Sequence, residues 1–175
     1  MKPFPKRLKL ADLPTRIEKL ERFSERTGLN VYVKRDDMSG MEWSGNKIRK
    51  LEFSIQEALD RGVDTLITCG GIQSNHCRAT AAAAARLGLR SCLLLRTDDP
   101  DPLLDGNYFI DKVLGADIRF ISAEDYRSRR GKVMEELAGE FERQGHKAYI
   151  IPEGASNGIG TFGYLSCMQE ILQQQ

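Results

Sequence analysis

Thr65-Leu66-Ile67-Thr68-Cys69-Gly70-Gly71-Ile72-Gln73-Ser74-Asn75-His76 leads without a break into an alanine-rich stretch that ends at Leu87-Gly88. The first five residues are β-branched or apolar and read as a buried strand. Two glycines then allow a tight turn or a close approach of backbone to a ligand. Ser74 or Asn75 can cap the following helix, which the five consecutive alanines Ala81 to Ala85 favour and Gly88 stops. The unpaired N–H groups of such a helix start suit an anion, carboxylate or phosphate. In an open parallel sheet this place, the carboxyl end of a strand, is where ligands sit. An ordinary glycine turn plus cap accounts for the same residues equally well.

Outward from this unit the rhythm repeats. Short apolar runs at Val31 to Lys34, Ser91 to Leu95, Ile118 to Ile121 and Ala148 to Ile151 read as further strands. Ile48, Leu51, Ile55 and Leu59 recur at helical spacing, and Tyr108 to Leu114 and Glu124 to Phe141 supply further helices. The expectation is an α/β fold, a parallel sheet with helices on both faces. The first thirty residues, with Pro3, Pro5 and Pro14 and a charged segment Arg16 to Arg26 that reads as helix, look different and are expected to pack elsewhere.

The 175 residues are 41% hydrophobic and 29% charged, which fits a soluble globular chain. Lys and Arg number 26 against 25 Asp and Glu, so there is no general field for nucleic acid or an anionic membrane, and neither is expected as a partner. No apolar run approaches the ~20 residues that span a bilayer. The opening Met1 to Lys6 has charge but no following apolar stretch, so a cytoplasmic location is expected. Cys69, Cys77, Cys92 and Cys167 include no Cys-x-x-Cys pair and read as buried reduced thiols. The spacing of Cys69, His76 and Cys77 matches no usual zinc pattern, and no metal is expected.

Ser44-Gly45-Asn46-Lys47-Ile48-Arg49-Lys50 stands where a loop turns into a helix. With Asn46 as N-cap, Lys47 falls in the first turn, where the helix dipole, Arg49 and Lys50 all disfavour a further ammonium group. A lysine destabilised in its charged form is the type that forms a Schiff base with a carbonyl. The plainer reading is three basic residues on a solvated helix start. His76 is a candidate general base or a packing residue. Gly158 to Gly163 satisfies G-x-G-x-x-G, but six residues separate Ile151 from Gly158 and no acidic residue follows at the dinucleotide distance, which argues against NAD.

Five words in one order, Val33-Lys34-Arg35-Asp36-Asp37, Gly45-Asn46-Lys47 to Phe53, Gly70-Gly71-Ile72-Gln73-Ser74-Asn75-His76, Leu114-Gly115-Ala116-Asp117 and Pro152-Glu153-Gly154-Ala155-Ser156-Asn157, resemble the pyridoxal-phosphate enzymes that group D-cysteine desulfhydrase with 1-aminocyclopropane-1-carboxylate deaminase. The resemblance runs from about Leu8 to the end and implies a fold type II enzyme, like the β subunit of tryptophan synthase. It implies pyridoxal 5'-phosphate held by Lys47, Asn75 against its 3-hydroxyl, and Ser74 with the backbone amides of Asn75 and His76 receiving the carboxylate of a small amino-acid substrate. Catalytic roles then fall to Lys47 and Ser74.

Gly154 to Gly158 would face the cofactor. Residues 1–50 would belong to the large cofactor domain, 51–163 to the small domain and 164–175 to the return toward the large one. The activity implied is D-cysteine desulfhydrase, on the slender ground of His76, with the deaminase or a non-catalytic amino-acid-binding half as alternatives. A homodimer is implied for the complete enzyme. Such proteins run to roughly twice this length, and the 175 residues alone are expected not to turn over substrate.

Overall fold

A computed structural model describes residues 4–40 and 44–174 of the chain. In chain order the elements are β1 (Ile17–Lys19), α1 (Glu21–Thr27), β2 (Tyr32–Lys34), α2 (Lys47–Asp60), β3 (Thr65–Gly71), α3 (Asn75–Leu87), β4 (Arg90–Arg96), α4 (Gly106–Val113), β5 (Asp117–Ile121), α5 (Ala123–Arg143), β6 (Ala148–Ile150) and α6 (Gly158–Gln174). Single 3-10 turns at Asp36–Met38 and Glu153–Ala155 precede α2 and α6.

Four strands form a parallel sheet in the order β5-β4-β3-β6. Thr65 pairs with Arg90 on one side and Ala148 on the other, and Cys92 with Asp117. Strand alternation sends Leu66, Leu93 and Leu95 to one face and Ile67, Cys69, Cys92 and Leu94 to the other. The first face is covered by α2, α3 and α4, with Ala79, Ala81, Ala83 and Ala84 wholly buried where the alanine helix lies close to the sheet. The second is covered by α5 through Tyr126, Met134, Leu137 and Phe141. Helices thus lie on both faces, as the layer rule requires.

Two expectations fail in the N-terminal region. Arg16 to Arg26 is not one helix: Ile17–Lys19 is a strand, and only Glu21–Thr27 is helical. The strand at 32–34 does not join the parallel sheet but pairs antiparallel with β1, Ile17 opposite Lys34. Three residues bearing two charges carry little strand signal of their own, and their partner across the hairpin supplies it.

A polar cluster ties this hairpin to the rest. Arg49, 1% exposed, donates to both carboxylate oxygens of Asp36 (2.9 and 2.8 Å), to both of Glu170 (2.8 and 3.0 Å) and to Thr15 Oγ1 (3.0 Å). Lys34 Nζ lies 3.0 Å from Glu170 and donates to the Thr15 carbonyl at 2.7 Å. Four separate segments, around Thr15 and on β2, α2 and α6, therefore meet at one charge-compensated point. Along the same seam Gly163 of α6 backs onto α2 so closely that a Cβ would stand 2.4 Å from the Arg49 carbonyl oxygen.

Candidate active site

The sheet's carboxyl edge ends in the Gly70-Gly71 turn, and Ser74 caps α3 by accepting from Cys77 N–H at 3.3 Å. Gly70 is required here, since a Cβ would lie 2.5 Å from Ser74 Oγ. Arg78 N–H reaches the Ser74 carbonyl, while the N–H groups of Asn75 and His76 have no acceptor among the described residues. Two N–H groups without acceptors thus stand together at this helix start, beside the exposed Asn75 side chain.

Lys47 opens α2, as expected, but Asn46 does not cap it. Asn46 is itself helical (φ −68°, ψ −16°), and its Oδ1 accepts from Lys47 Nζ at 2.9 Å instead. Arg49 does not crowd Lys47 as the sequence reading supposed, because its guanidinium is buried against Asp36 and Glu170. Lys50 is the cation that remains near. Partial burial and the neighbouring Lys47 ammonium hold the Lys50 amine below its usual value, and it donates to Ser156 Oγ at 2.8 Å. Among the described residues Lys47 has no carboxylate partner.

Lys47 lines an open cleft of about 750 Å3 between α5 and the 152–156 loop. Arg127, Arg130, Met134 and Glu153 are among the other walls. The loop bends around the lysine through two successive left-handed residues, Gly154 (φ 65°) and Ala155 (φ 49°), and a Cβ on Gly154 would stand 3.5 Å from Lys47 Cε. The cleft as a void includes neither Ser74 nor Asn75. The two halves are joined instead through Arg78 of α3, whose guanidinium donates to the Ser44 carbonyl three residues before Lys47 at 3.1 Å.

The His76 imidazole is 2% exposed and within hydrogen-bond distance (2.8 Å) of Thr68 Oγ1, which donates to the Ile151 carbonyl. With the Thr68 hydrogen so used, Nε2 is the donor and Nδ1 is left as a buried acceptor without a partner. Burial first, then the ammonium groups of Lys47 and Lys50, push its pKa down to about 3, so it is neutral. A buried neutral ring cannot reach substrate as a base.

Sequence reading passed over Asn107, whose side chain bridges Gln73 and Asn75 from α4. It also missed Arg127 and Arg130 on the cleft wall and Thr68 beneath His76. Only the Gly106-Asn107 pair gave a signal: Gly106 has φ 49°, and a Cβ there would stand 2.5 Å from Gln73 Oε1. The Gly158 to Gly163 run is helical from its first residue, and Gly160 and Gly163 admit the Ala155 carbonyl and α2 rather than a phosphate. All four cysteines are buried free thiols. Among the described residues no three His, Cys, Asp or Glu side chains gather as a metal site, and no helix is long and apolar enough to cross a membrane.

Comparison with known proteins bears on this arrangement. The bifunctional D-cysteine desulfhydrase/1-aminocyclopropane-1-carboxylate deaminase of Arabidopsis thaliana, described as mitochondrial, is 46% identical over 99% of this chain and 45% of its own length. A putative 1-aminocyclopropane-1-carboxylate deaminase of Thermotoga maritima is 45% identical over 96% and 53%. The D-cysteine desulfhydrase of Serratia proteamaculans is 42% identical over 98% and 52%. The chain spans about half the length of the curated relatives it matches.

A crystal structure of a 1-aminocyclopropane-1-carboxylate deaminase homologue superposes with a TM-score of 0.90 at 42% identity, covering 98% of this chain and 51% of that one. A fungal L-serine ammonia-lyase from Rhizomucor miehei shares the fold at 15% identity and a TM-score of 0.69. The family model described as pyridoxal-phosphate dependent enzyme matches residues 8–175. With that match laid over a cleft lysine and an open helix start, the chain belongs to the pyridoxal-phosphate dependent enzymes.

Proposed function

We propose that this chain carries the lysine-bearing half of a pyridoxal-phosphate lyase or deaminase acting on a small amino acid, D-cysteine desulfhydrase being the main reading: D-cysteine and water to pyruvate, hydrogen sulfide and ammonia. The observation that carries it is Lys47, an amine uncommitted to any carboxylate, held in the first turn of α2 with its stem against Gly154 and its tip in the cleft. The residues present fit pyridoxal phosphate: the Lys47 amine, without a carboxylate partner among the described residues, for its aldehyde, and the exposed Asn75 amide at the start of α3 for its 3-oxygen. When bound, the cofactor supplies an electron sink for a carbanion at the substrate's α-carbon.

The chain's own residues do the rest. Lys47 Nζ would anchor the cofactor and is the group placed to carry the substrate's α-proton. Ser74 Oγ with the N–H groups of Asn75 and His76 receives the carboxylate, fixing the α-carbon relative to Lys47. His76 takes no proton. Its buried neutral ring on Thr68 holds the first turn of α3 in place. The domain division at residues 50 and 163, a homodimer of the whole protein and a cytoplasmic location belong to the same reading.

The alternative is 1-aminocyclopropane-1-carboxylate deaminase, because relatives of similar identity carry either name. His76 does not separate the two, since its side chain faces the core. Pyridoxal phosphate added to the chain should produce a visible absorption band that Lys47→Ala abolishes. An equal band in that variant would refute the assignment. In the reading frame extended to the length of its relatives, ammonia release is expected from the true substrate, and hydrogen sulfide only if that substrate is D-cysteine.

A further inference from the structure

Asn75 carries a side-chain amide whose two ends are chemically opposite, a carbonyl oxygen that accepts and an NH2 that donates. Which end faces outward decides what it can bind, and the answer comes from α4. Arg78 NH1 lies 2.8 Å from Asn107 Oδ1. A guanidinium only donates, so the Asn107 atom it meets must be the oxygen. Asn107 Nδ2 then faces the Gln73 carbonyl at 2.8 Å and the Asn75 side chain at 2.9 Å. The Gln73 carbonyl only accepts, which gives the same orientation by a second route. Facing an NH2 group, Asn75 must present Oδ1 inward, and its own Nδ2 keeps both hydrogens with no acceptor among the described residues.

Asn107 is itself held firmly. Its main-chain N–H donates to Gln73 Oε1 at 2.7 Å, and Gln73 Nε2 donates to Asp105 Oδ1 at 2.8 Å. Gly106, with no room for a Cβ against Gln73, lets the two chains approach.

We infer that Asn107 is a positioning residue that sets the polarity of the site: it locks Asn75 with its NH2 turned outward, so that the start of α3 offers N–H donors to an oxyanion. This rests on the reading of the site proposed above, and the oxyanion it commits to is the ionised 3-oxygen of pyridoxal phosphate. A donor at that oxygen favours its charged form, so the lock bears on both cofactor affinity and spectrum. Asn107→Asp retains the shape and the Arg78 contact but has no hydrogen to give. Asn75 must then turn its NH2 inward and show an oxygen to the ligand. Asn107→Ala removes the lock without imposing the reversal.

The test has two readouts on the purified chain. Side-chain amide NMR without cofactor should show the Asn75 NH2 exchanging with solvent in the native protein and protected in Asn107→Asp. An Asn75 NH2 already protected in the native chain overturns the inference, whether or not either variant folds. Titration with pyridoxal phosphate, followed by absorbance, should show binding weakened about tenfold in Asn107→Asp, the scale of one hydrogen bond to a charged group, with a shifted band. Asn107→Ala should fall between. Equal affinity and an unchanged band in both variants contradict the inference. Failure of the native chain to take the cofactor at Lys47 counts against the proposed function alone, since the NMR readout still decides how Asn75 is set.

Discussion

Around β3 and β4 most of the buried side chains are apolar: Leu66, Ile67, Leu93, Leu94 and Leu95 are each no more than 1% exposed, between alanines on one face and Tyr126, Leu137 and Phe141 on the other. Where α6 crosses the β1–β2 hairpin, the largest buried side chain is Arg49, and what surrounds it is Asp36, Glu170 and Thr15. The apolar residues of that second region point the other way. Tyr164, Leu165, Met168 and Leu172 are 38 to 68% exposed along α6, and Phe23 and Tyr32 stand out from the hairpin side.

One region is thus held by burial, which is non-directional and tolerant of small shifts. The other is held by a charge cluster that demands all its partners at once. The lysine of the cleft stands between them, on a helix whose first turns belong to both: Ile48 and Leu51 pack into the sheet's core while Arg49 anchors the hairpin and α6.

The largest expected effect breaks the second region. Arg49→Ala would leave Asp36 without its cation and Glu170 with Lys34 alone, and should cost about 3–5 kcal/mol in urea unfolding, the scale of a broken buried ion pair. A loss below ~1 kcal/mol would mean that water already compensates those carboxylates. Leu94→Ala, in the first region, should cost about 3 kcal/mol through lost burial and a cavity. It should leave the hairpin's amide exchange unchanged relative to the sheet, whereas Arg49→Ala should release the hairpin first.

Asp111 sharpens the contrast, a carboxyl group buried in the apolar region with no hydrogen-bond partner on either oxygen. It is 0% exposed on α4. Burial, offset only by the Arg78 charge, pushes its pKa from 3.8 up to about 7. Because the folded state holds this proton more tightly than the unfolded one, the contribution is fully present below pH 4. It declines as pH rises toward 7 and is lost above it. Asp111→Asn should therefore stabilise the protein by about 4 kcal/mol at pH 8 and make little difference at pH 4. Thermal melts at both values read this directly, and equal shifts at the two pH values would show that the carboxyl is not the cause.

The smallest effect belongs to the exposed stripe. Leu165→Gln with Leu172→Gln should change stability by less than about 0.5 kcal/mol, since both side chains already face water.

The same division decides what could be read from the sequence. The βα region was legible because its signals are local: a run of apolar residues, a glycine turn, Ser74 as cap and Gly88 in the left-handed conformation that stops α3. The hairpin was not. Ile17-Glu18-Lys19 carries no strand pattern, and it is specified by pairing with Tyr32–Lys34 and by side chains from α2 and α6, Gln174 meeting Lys34 from 140 residues away. Arg49 reads as one of three solvated charges until Asp36 and Glu170 are placed around it.

Within the site, Lys47, Ser74 and Asn75 stood out because their chemistry is tied to helix starts, which a sequence marks. Asn107 did not, because its meaning lies in a contact with Asn75 across 32 residues. His76 was visible as a residue but not as a buried neutral ring, since Thr68 beneath it is known only from the fold.

The central claim, that the cleft lysine on α2 holds the cofactor, is tested most directly by reducing the pyridoxal-phosphate-loaded chain with borohydride and mapping the labelled peptide. The account predicts a single pyridoxyl group on Lys47. Label on Lys50, whose amine is bound to Ser156, or on Lys34, which is bound into the Glu170 cluster, would contradict it.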